Sequence, residues 1–157
     1  MRLEKTVLQI IPELDSGGAE RTTVEISRAV IAAGGRALVA SRGGRLAAEL
    51  EAAGAKVFPS PFNSKNPLTI WRNTSRLAAI IEREHVDVVH VRSRAPAWSA
   101  LRAARLTRKP LVATYHGAYS AGNPFKRYYN SAMTRADRVI ANSEFTATAI
   151  RANYEIE

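Results

Sequence analysis

The sequence predicts an α/β domain, a Rossmann-like doubly wound parallel sheet with helices on both faces. Three observations predict it. Short apolar runs bounded by Gly, Pro and Asp alternate with segments of helical period. The runs are nearly continuous in apolar residues, as strands covered on both faces are. The 157 residues, 46% hydrophobic and 24% charged, suffice for one domain with a sizeable core.

The first strand is read at Thr6–Ile11 (TVLQII), closed by Pro12. A helix over Ala19–Ala33 follows, its inner face drawn through Ala19, Thr23, Ile26, Val30 and Ala33, and Gly34-Gly35 ends it as a C-cap would. Ala37–Ser41 is the second strand, Leu46–Ala53 a short helix stopped by Gly54, and Lys56–Phe58 a weak third strand. After the loop-like Asn63–Pro67, a helix spans Leu68–Glu84 with Ile70, Thr74, Leu77 and Ile81 in register. Val86–Val91 is the fourth strand, and Ala97–Leu106 a helix through Ala97, Leu101 and Ala104. Pro110 sits where the fifth strand, Leu111–Tyr115, can begin. A helix over Phe125–Ala136, a sixth strand at Arg138–Ala141 and a helix from Glu144 to Asn153 complete the series. No internal repeat or low-complexity tract is visible.

No apolar run approaches the 18 or so residues of a membrane span, and the short N-terminal stretch lacks the pattern of a signal peptide. Without Cys there is no disulfide framework and no thiolate metal site, and a cytoplasmic location is expected. The net charge is +9, carried by 18 Arg and five Lys against 14 acids. Such a balance suits phosphate-bearing partners or an anionic membrane face, although Arg-rich genomic composition produces the same excess.

In an open α/β sheet, ligands bind beyond the carboxyl ends of the strands. Four segments are expected there. After the first strand, Gly17 and Gly18 open a helix, which lets an oxygen-rich ligand approach its free N–H groups and is equally a tight strand–helix turn. After the fourth, Arg92, Ser93 and Arg94 follow His90, and two guanidiniums there could clamp a phosphate or carboxylate. Solvated surface charges are the bland alternative, and His90 itself reads as a satisfied buried histidine.

The fifth strand ends in His116-Gly117, placed to bond a hydroxyl or phosphate or to act as an acid or base. A histidine bonded within its own turn fits as well. In the next segment Tyr119 reads as a ligand contact, with Phe125, Tyr128 and Tyr129 as the apolar face of a helix. Asn142 and Ser143 follow the sixth strand, Ser143 first as a helix N-cap. No Asp-x-Asp pair, clustered metal ligands or Ser/His/Asp arrangement stands out, so no metal site is expected.

Taken in order, these pieces resemble the N-terminal domain of the family 4 retaining glycosyltransferases. The resemblance runs from Gly-Gly-Ala-Glu-Arg (17–21) through DVVHV (87–91) and TYHG (114–117) to ADRVIANSE (136–144). It implies one half of a GT-B enzyme, with strand order 3-2-1-4-5-6 and right-handed connections. Residues 1–157 would be the acceptor-side domain, with the donor-binding C-terminal domain absent from this chain, which alone is expected to be inactive. The implied reaction is metal-independent, with retention of anomeric configuration. It needs no cofactor and uses a nucleotide-diphosphate sugar as co-substrate.

By the same resemblance His116 contacts the transferred sugar as the catalytic residue. Gly17, Gly18, Arg92, Ser93, Arg94, Gly117, Tyr119, Asn142 and Ser143 line the cleft for donor and acceptor. Relatives often have His-x-His where this chain has His90-Val91-Arg92, which suggests an anionic acceptor and leaves a neutral sugar open. A glycan or lipid-linked acceptor in lipopolysaccharide or envelope glycan synthesis is expected.

Peripheral docking on the inner, anionic membrane face is expected through Lys65, Arg72 and Arg76 beside Leu68, Ile70 and Trp71, and through Lys126 and Arg127 beside Phe125. An NAD(P)-binding oxidoreductase domain, with Arg42 toward a 2′-phosphate, is the rival enzyme and lacks the G-x-G-x-x-G fingerprint. A non-catalytic basic module is the rival binder. It lacks any nucleic-acid fold signature, so no nucleic-acid partner is expected.

Overall fold

In the computed structural model, which describes residues 4–120, 122–154 and 156, six parallel strands lie in one sheet. They are β1 (Thr6–Ile10), β2 (Arg36–Ser41), β3 (Lys56–Pro59), β4 (Val88–Val91), β5 (Leu111–Tyr115) and β6 (Arg138–Ala141). Their order across the sheet is β3-β2-β1-β4-β5-β6, as expected, with β1 between β2 and β4. The helices are α1 (Gly18–Ala32), α2 (Ala47–Ala52), α3 (Pro67–Arg83), α4 (Ala97–Leu106), α5 (Pro124–Thr134) and α6 (Glu144–Tyr154).

Because side chains alternate across a strand, the sheet feeds two cores. Leu8, Ile10, Leu38, Ala40, Val89, Val91 and Ala113 pack with α3, α4 and α5 through Leu77, Ile81, Leu101, Ala132 and Met133. On the other face Ala37 and Val39 pack with Val24 of α1 and Leu50 of α2. Helices therefore cover both faces, and the larger core lies under α3–α5. Among the described residues no helix is long and apolar enough to cross a membrane.

Boundaries shift where polar groups intervene. Strand β4 begins at Val88, not Val86. Val86 instead closes the end of α3 by donating to Ile81 O (2.9 Å), and the Asp87 carboxylate accepts from Thr6 N (2.8 Å). The chain leaves α3 through His85 (φ 53) and α4 through Arg108 (φ 55), left-handed exits with no glycine to announce them. Helices α3 and α5 each begin with a proline behind an asparagine cap: Asn66 accepts from Leu68 N and Thr69 N, and Asn123 from Lys126 N.

The inner face of α1 is also turned from the expected one. Thr23 is buried as expected, but beside Val24 and Ser27, whereas Ile26 is 37% exposed and Ala33 lies outside. Gln9 accounts for Ser27: its amide donates to Ser27 Oγ (2.8 Å) and to the Thr23 backbone carbonyl (3.1 Å), which brings the Ser27 hydroxyl to the sheet.

Glu84, at the end of α3, ties three basic side chains together: Lys56 at 2.8 Å, Arg36 at 2.9 Å and Arg83 at 3.3 Å. Hydrogen bonding, from Lys56 above all, holds its carboxyl below the usual value despite opposing burial. Asp87 is lowered chiefly by the Thr6 N–H. A carboxyl with a depressed folded pKa gives stability that is present above its ordinary value and lost as pH falls through the folded one. Denaturant midpoints should therefore decline as pH falls below the ordinary carboxylate range. Glu84→Gln should flatten that decline, and an unchanged acid limb would show the cluster to be energetically idle.

Candidate functional site

All the site residues expected from the sequence come to the carboxyl edge of the sheet, in the loops after β1, β4, β5 and β6. Parallel register decides which of them meet. Gln9 of β1 stands opposite His90 of β4, and His90 opposite Val112 of β5. With a period of two, Arg92, Thr114 and His116 continue on the same face as Gln9 and His90. A polar row thus runs out of the sheet toward its mouth.

Each member of the row has a distinct state. His90 Nε2 lies 2.7 Å from Thr114 Oγ1. Its pKa is pushed down to about 3 by burial and then by Arg92 and His116, so it is a neutral, satisfied histidine. Arg92 is 2% exposed and donates from Nε to Gln9 Oε1 (2.7 Å). No salt bridge among the described residues reaches it, and burial lowers its pKa to about 10. His116 is half-buried, and its Nε2 is buried with no hydrogen-bond partner among the described residues. Burial, then Arg92, lowers its pKa, so the neutral ring is favoured at pH 7. Its backbone carbonyl is held by Asn142 Nδ2 (3.1 Å). The histidine is thus fixed from behind while its ring keeps an unspent polar atom. Such an atom is costly to bury and ordinarily marks either strain or a function.

Arg92 and Arg94 do not form one clamp. Arg92 is drawn back to Gln9, whereas the Arg94 guanidinium lies 4.1 Å over the Tyr119 ring and donates to Asn130 Oδ1 (3.3 Å). Ser93 lies half-buried between them. Ser143 is the expected cap, accepting from Thr146 N (3.2 Å), and Asn142 accepts from the Thr146 hydroxyl (2.9 Å). Tyr119 packs against Tyr115 (5.5 Å) as well as Arg94.

The expectation that Phe125, Tyr128 and Tyr129 form the apolar face of α5 fails for the first two, while Tyr129 is half-buried. Phe125 is 79% and Tyr128 60% exposed, because Asn130, Ala132 and Met133 take the inward positions. Tyr128 instead stacks on Trp98, with ring centroids 5.1 Å apart.

The glycine loop behaves in two ways. Above Gly18 and Gly117 there is open space where a side chain would stand. At Gly17 (φ 141) the Glu20 carboxylate folds back against the position a Cβ would take, so a carboxylate of the chain already lies at this helix start. The loop rests on a residue the sequence reading missed. Gly44 (φ 149), between β2 and α2, lies against the backbone of Leu14 and Asp15, and Leu46 N donates to Leu14 O (2.8 Å). Gly43-Gly44 was the available signal, but nothing local says what the pair touches. Arg42, the residue considered for a 2′-phosphate, is engaged by Glu13 at 2.8 Å.

Charge is segregated along the chain. Residues 88–136 hold nine Lys and Arg and not one Asp or Glu, so the remaining residues, with fourteen of each sign, are neutral. The whole net charge therefore belongs to β4, α4, β5, α5 and their loops. Beside Arg94 this segment opens a groove of about 960 Å³, lined among others by Lys65, Tyr119, Phe125 and Lys126.

Comparison with known proteins shows the family and the fold. The model of Glycosyltransferase Family 4 matches residues 16–157. A glycosyltransferase from Rickettsia africae ESF-5 is 40% identical over 98% of this chain and 41% of its own, with a TM-score of 0.86. Anabaena Alr3699/HepE, solved in complex with UDP and glucose, is 21% identical over 94% of this chain and 41% of its own, with a TM-score of 0.74. The lipopolysaccharide outer core galactosyltransferase WaaB is 16% identical over 98% and 43%, with a TM-score of 0.68. The last two similarities concern the fold alone. This chain spans about 41% of the length of the Rickettsia protein. Among curated proteins nothing matches.

Proposed function

This chain belongs to glycosyltransferase family 4, and we propose that it is the acceptor-side half of a two-domain enzyme. The whole protein would move a sugar from a nucleotide-diphosphate sugar to a glycan or lipid-linked acceptor, in lipopolysaccharide or envelope glycan synthesis. The transfer would retain anomeric configuration, without a metal ion or other cofactor. The observation that carries the reading is His116, held by its backbone at the mouth of the sheet with a buried, unpartnered Nε2.

A neutral imidazole there bonds a sugar hydroxyl and holds the reacting geometry, which is the work of a positioned group in a near-attack complex. The charge of Arg92, buried without a carboxylate, favours developing negative charge in the cleft. Gly18 and Gly117 leave room for the substrates to approach the backbone. Ser93, Arg94 and Tyr119 belong to the acceptor side of the same cleft, Gly17 lies at the glycine loop, Asn142 buttresses His116, and Ser143 caps α6 beside it in the chain. Location on the cytoplasmic face of the membrane belongs to this reading, supported by the uncompensated charge of residues 88–136. Each basic residue near an anionic surface contributes about 1 kcal/mol, fading beyond a Debye length.

Residues 1–157 alone are expected to fold, since the sheet is covered on both faces by their own helices, but not to turn over a nucleotide sugar. Joined to a donor-binding half, they should transfer with retention, read from the anomeric signals of the product, and without loss in a chelator. Measurable glycosyl transfer by residues 1–157 alone would place the donor site within this half and refute the division of labour. An inverted product would refute the mechanism.

A further inference from the structure

We propose that the groove between the β5–α5 loop and the start of α3 seats the phosphate-bearing head of a membrane-lipid acceptor. The inference rests on reading this chain as the acceptor-side half. At about 960 Å³ the groove can take a lipid head with its first sugar or glycerol unit. Three elements each bring one cation to it: Lys65 before α3, Arg94 after β4 and Lys126 in the first turn of α5. Among the described residues no acidic one lines it, and none of the three forms a salt bridge.

The cations are set for different parts of one anion. Stacking on Tyr119 and the bond to Asn130 fix the plane of the Arg94 guanidinium, whose other N–H groups meet no acceptor among the described residues. A guanidinium so held presents paired donors of the kind that match phosphate oxygens. Lys65 and Lys126 are exposed point charges that close on the same oxygens from the rim. The Tyr129 hydroxyl, on the groove wall, is buried without a partner among the described residues and supplies a further donor.

The rest of the wall is not that of a free-phosphate site. Tyr119, Phe125 and Tyr129 give it an aromatic side, and Phe125 stands 79% exposed at its rim. Leu68 (55%) and Trp71 (61%) are likewise exposed on α3, just after Lys65. A ligand that carries its charge and its apolar body side by side satisfies both, and a lipid phosphate is such a ligand. A neutral glycan would leave the three cations uncompensated, and inorganic phosphate would leave the aromatic side unused.

The test is calorimetric titration of the chain with dihexanoyl phosphatidic acid below its micelle concentration. Dihexanoyl phosphatidylcholine and inorganic phosphate are the comparisons. Phosphatidic acid should bind at least about tenfold more tightly than either. The Lys65→Ala/Lys126→Ala variant, altered only at exposed side chains and checked for an unchanged melting curve, should lose about tenfold of that affinity; Phe125→Ala should lose affinity for the lipid but not for inorganic phosphate. Equal binding of the two lipids, inorganic phosphate bound as tightly as phosphatidic acid, or an unaltered double variant would overturn the proposal. Failure here alongside transfer to a neutral glycan by the joined enzyme would remove the groove and leave the transferase reading. Lipid-phosphate binding without any glycosyl transfer would do the reverse.

Discussion

Replacing His116 by alanine in an enzyme that joins this half to a donor-binding half should lower turnover by about 10²–10⁴-fold, the usual worth of a positioned hydrogen-bonding or acid–base group. Stability should change little by comparison. The ring is half-buried, its Nε2 makes no bond that folding would lose, and the anchor to Asn142 is through the backbone carbonyl, which alanine keeps. The pH dependence separates this role from a charged one. Burial and Arg92 both lower the His116 pKa, so its neutral form persists at lower pH than an ordinary histidine near 6.5. Its contribution to kcat should therefore persist on the acid side to lower pH than an ordinary histidine would allow, and decline only beyond that. A variant with wild-type turnover would return His116 to a turn-forming role, and a rate that rises as the ring protonates would make it an acid.

Gly44→Ala should be the most damaging substitution at the site that touches no substrate. A Cβ at Gly44 would stand 2.5 Å from the carbonyl carbon of Leu14, 2.6 Å from its oxygen and 2.8 Å from Asp15 N, all backbone atoms. The residue also has φ 149, where side chains are rarely found. Backbone strain and forced overpacking each cost about 1–3 kcal/mol, so a loss of roughly 2–6 kcal/mol is expected. The neighbouring Gly43 is the control. It has φ 102, but open space where its Cβ would be, so Gly43→Ala should show the strain without the clash. Denaturant unfolding of both variants decides the matter. Equal losses would mean that the loop before α1 does not lean on Gly44. A larger loss at Gly44 would show that the β2–α2 turn holds Leu14, and with it the approach to Gly17 and Gly18, in place.

The sequence by itself determined the alternation of strands and helices, the six strands to within one or two residues, and the four loops that gather at the carboxyl edge. These follow from hydrophobic period and turn chemistry, which are local and repeat every two or 3.6 residues. Its ordered motifs also identified the family. Tertiary structure alone decided which polar groups are spent and which are not. Arg92 meets Gln9 across 83 residues, and His90 meets Thr114 across 24. Arg92 and Arg94, two residues apart, go to different partners. The inner face of α1 was misread in part because its buried Ser27 answers Gln9, not an apolar neighbour. Phe125 and Tyr128 look like core in the sequence, yet stand outside because Asn130 takes an inward place. A polar side chain's partner depends on which strands adjoin and in what register, and no local pattern carries that information.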